Sequence, residues 1–132
     1  LFFAVSSRSN QTAQFTATNP AEAANHFLQT AIKRDGAASY AVLTGKLKKE
    51  ISQEGWQAQL DMVFKDYDGK PTFVDEQTLT ASDDGTPLTQ RLIYNFTFDK
   101  LGDDTNVTYT MDIIVKKEAN SWKVDEFSST QK

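Results

Sequence analysis

At Pro71 the spacing of the apolar residues changes. Before it they recur every three or four positions, and after it they alternate one by one. A helix turns 100° per residue and a strand 180°, so the two patterns cannot share one architecture. The chain is therefore committed to helices first and strands afterwards. The helical half opens with "NPAEAANHFLQTAIKRDG". Asn19 is placed to cap, Pro20 suits the first helical position, and Glu22 completes a capping-box start. Ala24, Phe27, Leu28, Ala31 and Ile32 form one stripe. His26 falls on the other side and is expected to be exposed and idle. Lys33 and Arg34 suit the C-terminal end of the dipole, and Gly36 is expected to end the helix.

In "AASYAVLTGKLKKEI" the stripe continues through Tyr40, Leu43, Leu47 and Ile51, with a break at Thr44-Gly45. Ser52 can cap a further amphipathic helix, "QEGWQAQLDMVFKDY", whose stripe is Trp56, Leu60, Val63, Phe64 and Tyr67. "DYDGKP" stops it; a few calcium-loop residues stand there without the further acidic ligands or the closing Glu, so it reads as a turn.

The alternating half divides at "SDDGTP", "KLGDDTN" and "KEANS". In the first strand strict alternation puts Phe73, Asp75, Gln77 and Leu79 on one face, and Val74, Glu76, Thr78 and Thr80 on the other. In the second, Leu88, Gln90, Leu92, Tyr94, Phe96 and Phe98 oppose Thr89, Arg91, Ile93, Asn95 and Thr97. In the third, Val107, Tyr109, Met111, Ile113 and Val115 share a face. "WKVDEF" closes the series. Successive strands joined by short turns make an antiparallel meander. Its apolar face has only the helices to cover it. Strands this long twist and curl. The expected fold is α+β: N-terminal helices packed on a curved four-stranded antiparallel sheet, a cone-shaped roll with a mouth.

Charge and composition exclude some functions. A net charge of -4 over 132 residues argues against a general nucleic-acid binder, which needs a basic face. Lys46, Lys48 and Lys49, and Lys116 with Lys117, are local basic clusters. Each reads as solvated surface or as a contact for lipid or an acidic partner. The absence of cysteine excludes disulfides and thiolate chemistry. A lone histidine makes no His-rich metal site, and no cofactor or metal is expected. Asn10, Asn95 and Asn106 each begin an Asn-x-Thr triplet, which chance explains in a Thr-rich chain.

Leu1 to Val5 is apolar and gives way to a Ser/Asn/Gln/Thr run from Ser6 to Asn19. Five residues cannot span a bilayer. Two readings stay open: the end of a longer anchor segment followed by a polar tether, or a segment packed on the domain. The expected organisation is a stump and tether over 1–18 and a folded domain over 19–132.

The opening helix "PAEAANHFLQTAIKRD", the broken region "AASYAVLTGKLKKEISQEGWQAQL" and the closing "NSWKVDEFSS" together resemble the nuclear transport factor 2-like superfamily, the cystatin-like α+β roll. Its bacterial extracytoplasmic members include N-terminal domains of penicillin-binding proteins and small lipoproteins. The resemblance implies an extracytoplasmic location, with membrane contact through an N-terminal anchor. It also implies a cone that in enzymes of the superfamily carries an Asp, His or Tyr as acid or base. Here the candidates are Asp75 with Tyr94 or Tyr109; the alternative leaves Asp75 and Gln77 in solvent and the tyrosines in the core. A small apolar ligand in the cone would meet Trp56, Phe64, Phe73, Gln90, Tyr94, Phe96, Tyr109 and Met111. The Thr-rich outer face, with Ile93 and Ile114, suits a homodimer or plain solvation. Fold does not settle function. The favoured expectation is a non-catalytic binding or assembly domain, ahead of a ligand carrier and an isomerase or dehydratase.

Overall fold

A computed structural model describes residues 15–65, 67, 70–99 and 106–131. The stump at Leu1 to Val5, most of its polar tether, the Asn10 triplet and most of "KLGDDTN" lie outside the described residues. Among the described residues four helices precede four strands: α1 (Pro20–Ile32), α2 (Gly36–Ala41), α3 (Gly45–Glu50), α4 (Gln53–Val63), β1 (Thr72–Ala81), β2 (Pro87–Asp99), β3 (Asn106–Glu118) and β4 (Ser121–Gln131). The sheet runs in the order β1-β2-β3-β4, antiparallel throughout and not closed. The fold is the α+β roll.

The helix starts follow the expected capping. Glu22 N–H donates to Asn19 Oδ1 at 2.9 Å, and Gly55 N–H to Ser52 Oγ at 3.0 Å. The Glu22 carboxylate reaches back one residue beyond the cap, accepting from Thr18 N–H at 3.1 Å. The end of α1 differs from expectation. Arg34, not Gly36, takes the left-handed conformation, with φ 60°. Arg34 N–H donates to Ala31 O and Asp35 N–H to Thr30 O, both at 2.9 Å, a Schellman closure. Arg34 Nη1 then donates to Phe64 O at 2.6 Å, tying the ends of α1 and α4 together. Gly36 instead begins α2, where a Cβ would sit 2.1 Å from Gln57 Oε1. Its N–H donates to that oxygen at 3.0 Å.

The core lies between α1, α4 and the inner sheet face, around Phe27, Leu28, Leu60, Leu92, Phe96, Ile113, Val115 and Val124. Phe27, Trp56 and Phe127 form an aromatic triangle with centroids 5.3–5.6 Å apart. Trp56 Nε1–H donates to the buried Ser39 Oγ at 2.7 Å, so the indole is satisfied inside the core. The free edge of β4 is covered by the chain itself. Trp122 N–H donates to Ala17 O at 3.1 Å, Val124 N–H to Val42 O at 2.7 Å, and Thr44 N–H to Val124 O at 2.9 Å. Ala17 is fully buried, so packing begins before the Asn19 cap.

At the other edge every residue of β1 is exposed. β1 also departs from strict alternation. The register is irregular between Phe73 and Asp75 and again between Thr78 and Thr80. Phe73 opposes the buried Tyr94, but Asp75 opposes Ile93 on the outer face, and Glu76 opposes the buried Leu92. The extra residue of a bulge reverses the parity of everything beyond it. Asp75 and Gln77 are therefore outside and Glu76 is inside, the reverse of the expected faces. A further irregularity in the β3–β4 pair, between Ile114 and Val115, seats Phe127 opposite the buried Ile113.

Candidate functional site

The curl of β2 and β3 leaves a hollow between the sheet and the end of α4. Phe96, Phe98, Tyr109 and Met111 alternate inward from two neighbouring strands, and Val63 and Phe64 close the side at the helix end. The hollow measures about 450 Å³. A smaller one of about 170 Å³ adjoins it, sharing Val63, Phe64, Met111 and Ser129 and reaching Trp56 and Phe127. The rings support one another: Phe64 stacks on Phe98 at 6.2 Å, and Tyr109 meets Phe98 edge-on at 5.7 Å. The described wall of the larger hollow is apolar apart from the Tyr109 and Ser129 hydroxyls. Such a wall can hold an apolar molecule and orient it by one or two hydrogen bonds.

Of the residues expected around a ligand, Phe64, Phe96, Tyr109 and Met111 line this hollow and Trp56 lines its smaller neighbour. Phe73, Gln90 and Tyr94 do not. They belong to a polar cluster nearer β1. There Gln90 Nε2 donates to Glu76 Oε2 at 2.6 Å, and the Tyr94 hydroxyl donates to Asn25 Oδ1 at 3.0 Å. Phe73 lies edge-on to Tyr94 at 5.6 Å. The Tyr94 phenol is pushed up to about 12, first by burial and then by the nearby Glu76 carboxylate. Gln90 Oε1 is buried without a hydrogen-bond partner among the described residues. A phenol held neutral beside a carboxylate is a hydrogen-bond donor at ordinary pH and not a base.

Asp75, the expected partner of Tyr94 or Tyr109, is not in either place. It is exposed on the outer face, accepting from Gln77 Nε2 at 3.1 Å and from Glu76 N–H at 2.8 Å. The structure therefore does not assemble Asp75 with either tyrosine. The carboxylate that does face inward, Glu76, and Asn25, which accepts from the Tyr94 hydroxyl, were not singled out from the sequence. Where alternation holds, one of the adjacent acids Asp75 and Glu76 faces inward, and that is the sign the sequence offers.

His26 also differs from expectation. It is half-buried, with Phe15 stacked on its ring at 3.8 Å and 13°. Nε2 is buried without a hydrogen-bond partner among the described residues. Burial holds its pKa below the ordinary value, against smaller opposing effects from the Ala38 backbone and Asp35. Among the described residues no group of three His, Asp or Glu side chains is placed to hold a metal.

On the outer face, Ile93 and Ile114 are half-buried among cross-strand polar pairs. Arg91 Nε lies 3.4 Å from Asp112 Oδ2 as an ion pair without hydrogen-bond alignment, and Thr110 Oγ1 donates to Asn95 Oδ1 at 3.2 Å. No described helix is long and apolar enough to cross a membrane.

A family model described as an NTF2-like N-terminal transpeptidase domain matches residues 19–130, beginning at the residue that caps α1. No curated protein matches the chain significantly.

Proposed function

Because this chain belongs to the family of NTF2-like N-terminal transpeptidase domains, we propose that it is a non-catalytic binding or assembly domain, extracytoplasmic and tethered through its N-terminal sequence to a bacterial membrane. The family match carries the reading, since it covers every described helix and all of the sheet but Gln131. The outward position of Asp75 agrees with it, because Asp75 is not brought together with Tyr94 or Tyr109, the pairing that the isomerase reading requires. In this reading the outer sheet face, with Ile93 and Ile114, is the surface for self-association.

The test is the placement of the domain in cells. In a bacterium expressing the natural full-length protein, the domain is expected in the membrane fraction and open to protease added outside spheroplasts. A domain protected from that protease, or released with the soluble cytoplasm, refutes the tether. Asp75→Asn is expected to leave binding and assembly unchanged, while Ile93→Glu or Ile114→Glu weakens self-association.

The apolar hollow of about 450 Å³ favours a second reading, carriage of a small apolar molecule. Native mass spectrometry of protein purified without refolding separates the two. An added mass lost on denaturation supports carriage, and a clean mass leaves the hollow as part of the core.

A further inference from the structure

Lysines gather at one corner of this acidic chain. Lys46, Lys48 and Lys49 are on α3, Lys116 and Lys117 are near the end of β3, and Lys123 is near the start of β4. α3 packs against β4, and Gly45 N–H donates to Glu118 beside the β3–β4 turn at 3.4 Å. Lys116 and Lys123 oppose each other directly in the β3–β4 register. Like charges in that position repel. Lys48 feels the same Lys123 ammonium, which adds to burial in lowering its pKa, with Glu118 opposing. Neutralisation is partial. Lys123 Nζ lies 3.6 Å from Glu118 and Lys46 Nζ 3.4 Å from Asp125, and Glu50 ends α3. The lysines outnumber these carboxylates, while the chain as a whole carries -4.

The same corner receives the N-terminal segment. Ala17 N–H donates to Ser121 Oγ at 3.0 Å, and Trp122 N–H to Ala17 O at 3.1 Å. A tether reached through that segment joins the domain at the β3–β4 turn, beside the lysines.

We infer that the α3 and β3–β4 corner, through Lys48, Lys116 and Lys123 with Lys46, Lys49 and Lys117 around them, docks on the anionic phospholipid surface of the membrane that holds the tether. The inference rests on the tether reading and goes beyond it, because it gives the domain a fixed orientation on the bilayer. Lipid phosphates supply the counter-charge that Glu118 and Asp125 leave incomplete. The opposite sign nearby limits the footprint. Asp83 and Asp84 occupy the β1–β2 turn at the same end of the sheet, two strand spacings or about 10 Å away. The contact therefore tilts toward the β4 edge. Ammonium groups bind such a surface as hydrated point charges, so the docking is salt-sensitive.

The test is cosedimentation of the 132-residue chain with vesicles. Mixed phosphatidylglycerol–phosphatidylcholine vesicles are compared with pure phosphatidylcholine. The expected result is binding to the anionic vesicles only, weakening as salt rises. Each lysine near such a surface is worth roughly fivefold in affinity. The triple variant Lys48→Gln, Lys116→Gln, Lys123→Gln is then expected to bind roughly a hundredfold more weakly. A control with the same change in charge, Lys33→Gln, Lys65→Gln, Lys70→Gln, is expected to bind as the parent does. Matching circular dichroism melts establish that both triples are folded. Equal losses in the two triples overturn the inference, as does no preference for anionic vesicles. Equal binding to pure phosphatidylcholine overturns it in favour of insertion by the apolar N-terminus. Release from the vesicles by soluble poly(glycerol phosphate) at matched phosphate overturns it in favour of an anionic polymer. Failure here with the domain still outside and membrane-bound in cells refutes the docking alone. A domain found off the membrane in cells refutes the tether, whatever the vesicles show.

Discussion

The buried hydrogen bond from Trp56 to Ser39 allows a quantitative test of how the helices are locked over the sheet. Ser39 is fully buried, and its Oγ accepts from Trp56 Nε1–H at 2.7 Å while donating to Asp35 O at 2.8 Å. Ser39→Ala removes both bonds with little change in volume. The Asp35 carbonyl keeps the Ser39 backbone N–H at 3.1 Å, so it remains satisfied. The indole N–H does not, because Trp56 is itself buried between Phe27 and Phe127. A buried donor left unpaired costs about 1–3 kcal/mol, so Ser39→Ala is expected to lose about 2 kcal/mol. In a Trp56→Phe background the orphan donor is absent, and the same substitution should cost about 0.5 kcal/mol. The expected coupling is then about 1.5 kcal/mol. Urea unfolding followed by far-ultraviolet circular dichroism reads all four proteins without relying on tryptophan emission. If Ser39→Ala costs the same in both backgrounds, the bond does not lock the helices and the reasoning fails.

Ala119 turns the β3–β4 hairpin with φ 57°, a conformation that costs an L-residue about 1–2 kcal/mol. Ala119→Gly relieves that strain but frees the unfolded chain, so a gain of about 0.5 kcal/mol in a urea titration is expected. His26 in the unfolded chain protonates near 6.5, and in the folded protein only at lower pH, because burial opposes the charge. The unfolded chain therefore binds more protons in that window, and stability falls as pH drops through 6.5 toward the lower folded value. His26→Phe, which keeps a ring against Phe15, is expected to flatten that part of the profile. In an alkaline absorbance titration, the Tyr94 phenol is expected to ionise at about 12. Tyr94→Phe should abolish that step. Glu76→Gln should lower it only part of the way, because burial is the larger cause.

The first strand shows where local reading stops. Alternation correctly assigns the inner faces of β2 and β3, where Leu92, Tyr94, Phe96, Ile113 and Val115 are all buried. Those strands pair with each other continuously from Thr89 to Asp99, so period two holds along their length. β1 has the same composition of alternating residues, but pairing with β2 forces an extra residue between Phe73 and Asp75. The candidate acid then moves from inside to outside. Nothing within "TFVDEQTLTA" marks the bulge, since it is a property of the pair and not of the strand.

The sequence by itself determined the order of elements, their types, the caps at Asn19 and Ser52, and the curved sheet under helices. Those follow from periodicity and local hydrogen bonding, which a short window contains. Only the tertiary structure decided that Glu76 faces inward, that Phe15 covers His26, that Ala17 seals the edge of β4, and that separate lysine clusters meet at one corner. Each depends on contacts between residues far apart in the chain. The register of one strand on another, and the side of a helix that a remote segment happens to cover, are fixed by total burial and hydrogen bonding across the fold.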